Sequence, residues 1–405
     1  MTLVALDEAQ RHVLSRVGVL PTVSMPLASA IGRVLASDVV ASEPVPPFAN
    51  TAMDGYAVRA ADTTNAPVEL KVVATLAAGA ANSAARPVGP GEAIRIMTGA
   101  PMPPGADAIV MVERTRGRDA TVEILAPADV GDHVRPAGED ISPGDLVFSA
   151  GDDLGPGHLG VLASLGVESV TVVRPARVGV LSTGDELTQG PGPLRPGQIR
   201  DSNRRTLLAL AGLAGAEAVD LGIVRDDENA LTAAVSSAAS SCDALLTSGG
   251  VSVGDFDYVK VVLDKLSEGS MRWMQVAIRP AKPFAFGTVN GMPVFGLPGN
   301  PVSSMVSFEC FARPALRKMM GHASLWRPTV RAVADEALSR RADGKLLLMR
   351  VLASWPNGEG RCHVRSSGGQ GSNLLRAMAI ANALALVPDG SGVPAGGEVD
   401  VWLLD

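Results

Sequence analysis

Apolar positions recur at helical spacing through residues 3–17 (LVALDEAQRHVLSRV), with acids in the first turns and arginine late, as the helix dipole favours. A second short helix is predicted over 27–36. Glu43-Pro44-Val45-Pro46-Pro47 then makes a stiff extended connector, because each proline also restricts the residue before it. Beyond it the pattern becomes that of strands at 68–76 (VELKVVATL), 93–99 (AIRIMTG), 107–115 (DAIVMVERT) and 121–125 (TVEIL), separated by turn clusters such as Pro101-Met102-Pro103-Pro104-Gly105. A helix over 156–165 and a strand over 168–173 follow. Residues 1–44 and 140–174 are therefore expected to form one discontinuous linker domain around a β-rich insertion at 45–139.

From 175 to 325 the class changes. ARVGVLSTGDEL is an apolar strand running into a Thr-Gly-Asp turn. A helix over 203–213, a strand over 217–223, a helix over 227–240 and the strand ALLTSGG at 244–250 come next. Strands alternating with helices predict a mainly parallel sheet covered on both faces, an α/β domain. Residues 326–405 are again strand-rich (TVRAVADEAL, KLLLMRVLAS, RCHVRSS, ALALVP, EVDVWLL) and predict a C-terminal β domain.

Composition bounds this picture. A chain of 405 residues exceeds one ordinary core and suggests two to four domains. Aromatics are 3%, so the cores are built from Ala, Val, Leu and Ile, and 44 Gly with 29 Pro favour short strands and turns. The net charge of −7 argues against a nucleic-acid partner but not against an anionic ligand held by a local cationic patch. Three scattered cysteines without CxxC, and five histidines without HxxxH, indicate neither zinc nor a disulfide framework, and point to reduced thiols in a cytoplasm. No apolar run of about 18 residues is present, so no membrane insertion is expected.

Four sets of residues carry candidate chemistry. Thr247-Ser248-Gly249-Gly250-Val251-Ser252-Val253-Gly254 follows an apolar strand, where glycines let backbone N–H groups approach an oxyanion. It lacks GKS/T and GxGxxG, and a plain connector is the alternative. Gly296-Leu297-Pro298-Gly299-Asn300-Pro301 is a second rigid turn between strand and helix, with Ser303 in the first helical turn. Arg279-Pro280-Ala281-Lys282-Pro283 holds two cations in a proline-stiffened segment, suited to a tetrahedral dianion or phosphate if they are not merely solvated. Acids lie in loops: Asp54, Asp140, Glu186, the pair Asp226 and Asp227, and Asp255 and Asp257. Singly each is an ordinary turn or cap residue, but an oxygen-rich set without His or Cys suits Mg²⁺.

The blocks NTAMDGYAVR (50–59), RIMTGAP (95–101), GED (138–140), STGDEL (182–187), RDD (225–227), TSGGVSVGDFDYVK (247–260), KPFAFG (282–287) and GLPGNPVS (296–303) resemble, together and in order, the MoeA family that includes the gephyrin E domain. The resemblance covers essentially the whole chain. It implies an elongated, multidomain α/β plus β protein: helical linker, inserted β domain, α/β/α molybdopterin-binding domain and C-terminal β domain. It also implies a homodimer whose cleft combines both subunits. The activity implied is insertion of molybdenum from molybdate into adenylylated molybdopterin with release of AMP, assisted by Mg²⁺.

Carried over position by position, Asp54, Thr98, Asp140, Glu186, Asp226 and Asp257 match the family's cleft residues. Glu186 and Asp257 fall at the chemical end as metal or water-orienting carboxylates, and Asp54 is expected from the partner subunit. Gly249, Gly250, Ser252 and Gly254, with Pro298, Gly299, Asn300, Pro301 and Ser303, would hold the pterin phosphate and nucleotide. Arg279 and Lys282 resemble the molybdate end, and Arg350 and Ser372 its remaining polar contacts. Two positions depart from the pattern: many relatives carry lysine at Arg279 and at Gln275, so the charge at the molybdate end is altered. Competing expectations are a dimeric gephyrin-like scaffold that binds a protein partner at the dimer surface, and the adenylylating step of the same chemistry.

Overall fold

A computed structural model describes residues 2–79, 86–118, 120–250, 258–356 and 360–404. Contacts divide the chain into two units, one of Met25–Ile31 with Ser37–Val170, the other of Met1–Ser24, Gly32–Ala36 and Thr171–Asp405.

The first unit is built on a six-stranded sheet. Val68–Leu76 pairs parallel with Glu92–Ile96 and antiparallel with Thr121–Ile124, and Gly55–Val58 lies antiparallel between Glu92–Ile96 and Ala108–Met111. Neighbouring side chains fall on opposite faces, so Tyr56 and Val58 enter one apolar cluster with Leu70, Val110 and Ile124, while Ala57 enters a second with Ile94, Ile96 and Ile109. Two predicted elements come out shorter. The helix expected over 27–36 is one 3₁₀ turn, Leu27–Ser29, because Pro26 precedes it and Gly32 takes a left-handed conformation at φ 69°. The strand expected over 107–115 is broken after Met111 by a 3₁₀ turn, Val112–Arg114.

In the second unit the amphipathic N-terminal helix, Leu6–Leu14, buries Ala9 and Val13. Its α/β sheet has the order Glu217–Val224, Arg177–Thr183, Ala244–Ser248, Met292–Leu297, Pro283–Val289, Arg272–Gln275; the first four strands are parallel, and each of the last two pairs antiparallel with the strand before it. The central strands bury apolar side chains on both faces because helices cover both, with Val178, Val180, Leu246 and Phe295 in one core and Leu181, Leu245 and Val294 in another. The helix after Met292–Leu297 is continuous in space but changes pitch, as Pro301–Ser307 passes into a π turn at Phe308–Ala312 and then Arg313–Met319. Pro314 has no N–H to give an α-helical ladder, and the wider turn just before it absorbs the break.

Strands beyond residue 328 close a barrel: Leu346–Ser354 pairs with Cys362–Ser366 and also with Ala383–Val387, and Thr329–Ala334 and Glu398–Leu403 complete the ring. Ile278–Arg279 adds to this barrel, parallel to Leu346 and Leu347. All three cysteines are free thiols, Cys310 and Cys362 buried and Cys242 half-buried. Among the described residues no helix is long and apolar enough to cross a membrane.

Candidate functional site

Register across the parallel strands brings the glycine turns together. Ser182 stands beside Ser248, and Ser248 beside Leu297, so the turns that follow these residues leave one edge of the sheet as neighbours. Gly249 N–H donates to the Leu297 carbonyl at 3.1 Å. Gly249 has φ 99°, and a Cβ there would lie 3.0 Å from the Thr183 carbonyl oxygen; only glycine permits this approach.

The start of helix Asn203–Leu213 locks these turns. Asp201 is buried and accepts from Ser182 Oγ at 3.0 Å, Arg204 N–H at 3.1 Å and Arg204 Nε at 2.9 Å. Held there, the neighbouring Asn203 donates from Nδ2 to Ser248 Oγ and to the Gly299 carbonyl, both at 2.7 Å. One amide thus ties the ends of two strands.

Two cavities flank the tied turn. A narrow hollow of about 190 Å³ is lined by Thr183, Glu186, Asn203, Gly249, Gly299 and Pro301, among others. Glu186 is exposed, its carboxylate folded over Gly184, and among the described residues no partner is bonded to it. On the other side lies a groove of about 520 Å³ whose walls include Arg279, Lys282, Asn300, Ser303, Asp343 and Ser372. Its halves are joined by backbone, since Leu346 N–H donates to the Ala277 carbonyl at 2.9 Å and Val302 N–H to that of Ser372 at 3.1 Å. Between the two cations, Ala281 is buried in the left-handed region at φ 75°, a strained conformation for a residue with a Cβ.

The expected residues therefore sort as follows. Glu186, Gly249, Gly299 and Pro301 meet at the hollow, and Arg279, Lys282, Asn300, Ser303 and Ser372 meet at the groove. Pro298 is buried at the base of their shared turn, and Gly250 follows Gly249 at φ 69°. Arg350 is 0% exposed and is not among the residues lining the groove. Its Nη2 donates to the Gly369 and Gly371 carbonyls at 2.9 and 3.1 Å, bracing the loop that carries Ser372, and its Nε and Nη1 are buried without a partner among the described residues. Burial lowers its pKa to about 10. Gln275 is half-buried in its strand and also does not line the groove.

Asp226 is exposed on the turn after Glu217–Val224, and the adjacent Asp227 caps helix Glu228–Ser241 by accepting from Ala230 N–H at 2.8 Å. In the other unit Asp54 accepts from Thr98 N–H and Oγ, both at 2.7 Å, and these bonds, the backbone one foremost, hold its carboxyl below the usual range. Asp140 is exposed on a separate turn, its N–H donating to the Val45 carbonyl at 3.0 Å. Ser252, Gly254, Asp255 and Asp257 lie outside the described residues. Among the described residues no three His, Cys, Asp or Glu side chains gather as a metal cage. Sequence reasoning missed Asn203, Asp201, Asp343 and Lys345. The first two sit in Asp201-Ser202-Asn203, whose only visible signal is a helix start, and the last two in an ordinary turn, Asp343-Gly344-Lys345.

Three family models match in order: the MoeA N-terminal region (domain I and II) over residues 4–166, a probable molybdopterin binding domain over 179–318, and the MoeA C-terminal region (domain IV) over 337–404. Molybdopterin molybdenumtransferase 2 of Mycobacterium tuberculosis is 40% identical, covering 98% of this chain and 99% of its own. The molybdopterin molybdenumtransferase of Haemophilus influenzae is 38% identical over 98% of this chain and 97% of its own. The crystal structure of the molybdopterin biosynthesis moeA protein from Pyrococcus horikoshii OT3 superposes with a TM-score of 0.82 at 30% identity, covering 99% of this chain and 100% of that one.

Proposed function

Because the chain belongs to the MoeA family, we propose that it inserts molybdenum into molybdopterin, taking molybdate and the adenylylated pterin and releasing molybdenum cofactor and AMP. The observation that carries this is a single turn, Gly299-Asn300-Pro301, walling two cavities of different chemistry. Molybdate, a tetrahedral dianion, suits the groove, where Arg279 and Lys282 supply charge and Ser303 and Ser372 hydroxyl donors. The phosphates of the adenylylated pterin suit the hollow, where the glycine turns allow close backbone approach. The segment with Ser252, Gly254 and Asp257 continues from Gly250 and joins this proposal by sequence. Arg350 acts by bracing the Ser372 loop.

Cleavage of the phosphoanhydride needs positioning and charge neutralisation rather than a covalent intermediate. Water adds to the pterin-side phosphorus and gives up a proton to solvent, the bridging P–O bond breaks, and AMP leaves with the electron pair. Glu186, exposed at the mouth of the hollow, orients that water. Its carboxylate, with the substrate's phosphates, also fits Mg²⁺, which binds through one or two carboxylates plus phosphate oxygens and would supply neutralisation of the developing charge.

We further infer that the chain works as a homodimer, with Asp54, Thr98 and Asp140 of a second copy completing the cleft. The test is AMP release from purified protein, adenylylated pterin, Mg²⁺ and molybdate. Asp54→Ala and Glu186→Ala are each expected to abolish release, and mixing the two variants under subunit exchange should restore about a quarter of it, since a heterodimer holds one site with neither change. Absence of AMP with wild-type protein overturns the activity. Failure of the mixture to recover, with exchange demonstrated, overturns the shared cleft.

A further inference from the structure

Asp343 is a carboxylate in the wall of a groove otherwise suited to anions, and the proposed reaction makes no use of it. The groove's lining also holds three cations, Arg279, Lys282 and Lys345. Asp343 Oδ2 accepts from Lys345 Nζ at 3.0 Å and lies 4.0 Å from Arg279 Nη1. Its Oδ1 accepts from Arg340 Nη2 at 2.5 Å.

Asp343 is fixed rather than a loose surface acid. The Arg340 side chain is 2% exposed and also donates to the Lys345 and Val387 carbonyls at 2.6 and 3.1 Å. Asp343 N–H and Gly344 N–H donate to the Asp389 carboxylate at 2.9 and 3.1 Å. The turn is therefore anchored from behind by a buried guanidinium and a second carboxylate, with one oxygen of Asp343 turned toward the groove's cations. The Arg279 side chain, in contrast, is 57% exposed and has room to turn.

We propose that Asp343 is a built-in counter-ion that an incoming oxyanion displaces from Arg279 and Lys345, and that this exchange selects dianions over monoanions. The proposal rests on the oxyanion assignment of the groove. A monoanion offers the two cations one negative charge, which Asp343 already supplies from a preorganised position, so exchange gains little. A dianion offers twice that charge while Asp343 remains compensated by Arg340. Lys345, which carries no family assignment above, thereby becomes a ligand-binding cation.

The test uses the full chain and calorimetric titration with molybdate and sulfate as tetrahedral dianions and perchlorate as a tetrahedral monoanion. Asp343→Asn is expected to tighten molybdate about tenfold at low salt and to tighten perchlorate as well, narrowing the ratio between them; added salt should shrink the gain. Lys345→Met is expected to weaken molybdate about tenfold and decides the matter independently if Asp343→Asn does not fold. Molybdate binding that is unchanged or weaker in folded Asp343→Asn, or unchanged in Lys345→Met, overturns the counter-ion. If wild type binds molybdate and Lys282→Met loses it, such a failure removes the counter-ion alone. If wild type shows no saturable molybdate binding, the oxyanion assignment falls and the counter-ion with it.

Discussion

The two cavities share one wall and differ in almost everything else. The groove is made by side chains: cations from the segment 278–283 and from the turn at 343–345, hydroxyls from Ser303 and Ser372, all facing one another between an α/β sheet and a barrel. The hollow mixes backbone with side chains: Gly249 and Gly299 at strand ends, the Asn203 amide, Arg200 and the Glu186 carboxylate. Flexible point charges recognise a compact ion with little demand on orientation. Fixed N–H groups and close-packed glycines recognise the shape and direction of a phosphate chain. A reaction that joins a small oxyanion to a larger phosphate ester needs both kinds of recognition side by side, and the turn 299–301 supplies the join.

That division of labour makes damage on either side separable. Glu186→Gln is expected to lower the plateau rate of AMP release about a hundredfold while molybdate affinity from calorimetry stays at the wild-type value. A loss of molybdate affinity in that variant would show the cavities to be one site. Asn203→Ala is the complementary case, since its amide serves the wall common to both. It should lower the rate and weaken molybdate, each about tenfold, and cost about 1–2 kcal/mol in urea unfolding because the Gly299 carbonyl and Ser248 hydroxyl lose their donor. An effect confined to one ligand would mean that the turn is held by something other than this bond.

Sequence made each cavity legible only in part, and Asn203 and Asp201 of the hollow read only as a helix start. Strands 177–183 and 244–248 were readable as members of one mainly parallel sheet from the alternation of strands and helices, and ligands sit beyond the carboxyl ends of such strands, but spacing alone did not bring Glu186 to Gly249. Helix Asn203–Leu213 begins and ends where its pattern predicts. The groove depends on a different kind of information. Nothing near Arg279 indicates that Ile278 and Arg279 join a barrel strand some seventy residues later, bringing Lys345 and Ser372 opposite. Arg350 did leave a trace: a lone charge inside KLLLMRVLAS, whose neighbours are apolar, signals a buried cation with a specific duty. The missing helix at 27–36 fails for a local reason, a glycine with positive φ that composition alone does not weigh.

The smallest expected effect is at Ala281, and it isolates how the groove holds its cations apart. The residue sits at φ 75° with its methyl buried. Replacing it with glycine removes a left-handed penalty of about 1–2 kcal/mol. The same change restores unfolded-chain freedom worth about 0.5–1 kcal/mol and exposes or empties a methyl site worth about 0.8 kcal/mol. These oppose, so Ala281→Gly should shift unfolding stability by less than about 1 kcal/mol. Its consequence lies elsewhere: with a freer backbone between them, Arg279 and Lys282 lose preorganisation, and molybdate should bind about threefold more weakly. The rate at saturating molybdate should hold, because the glycine turns of the hollow are untouched. A fall in that rate would show that strain at Ala281 is transmitted through the shared wall, and the contrast between the cavities would then be one of composition and not of independence.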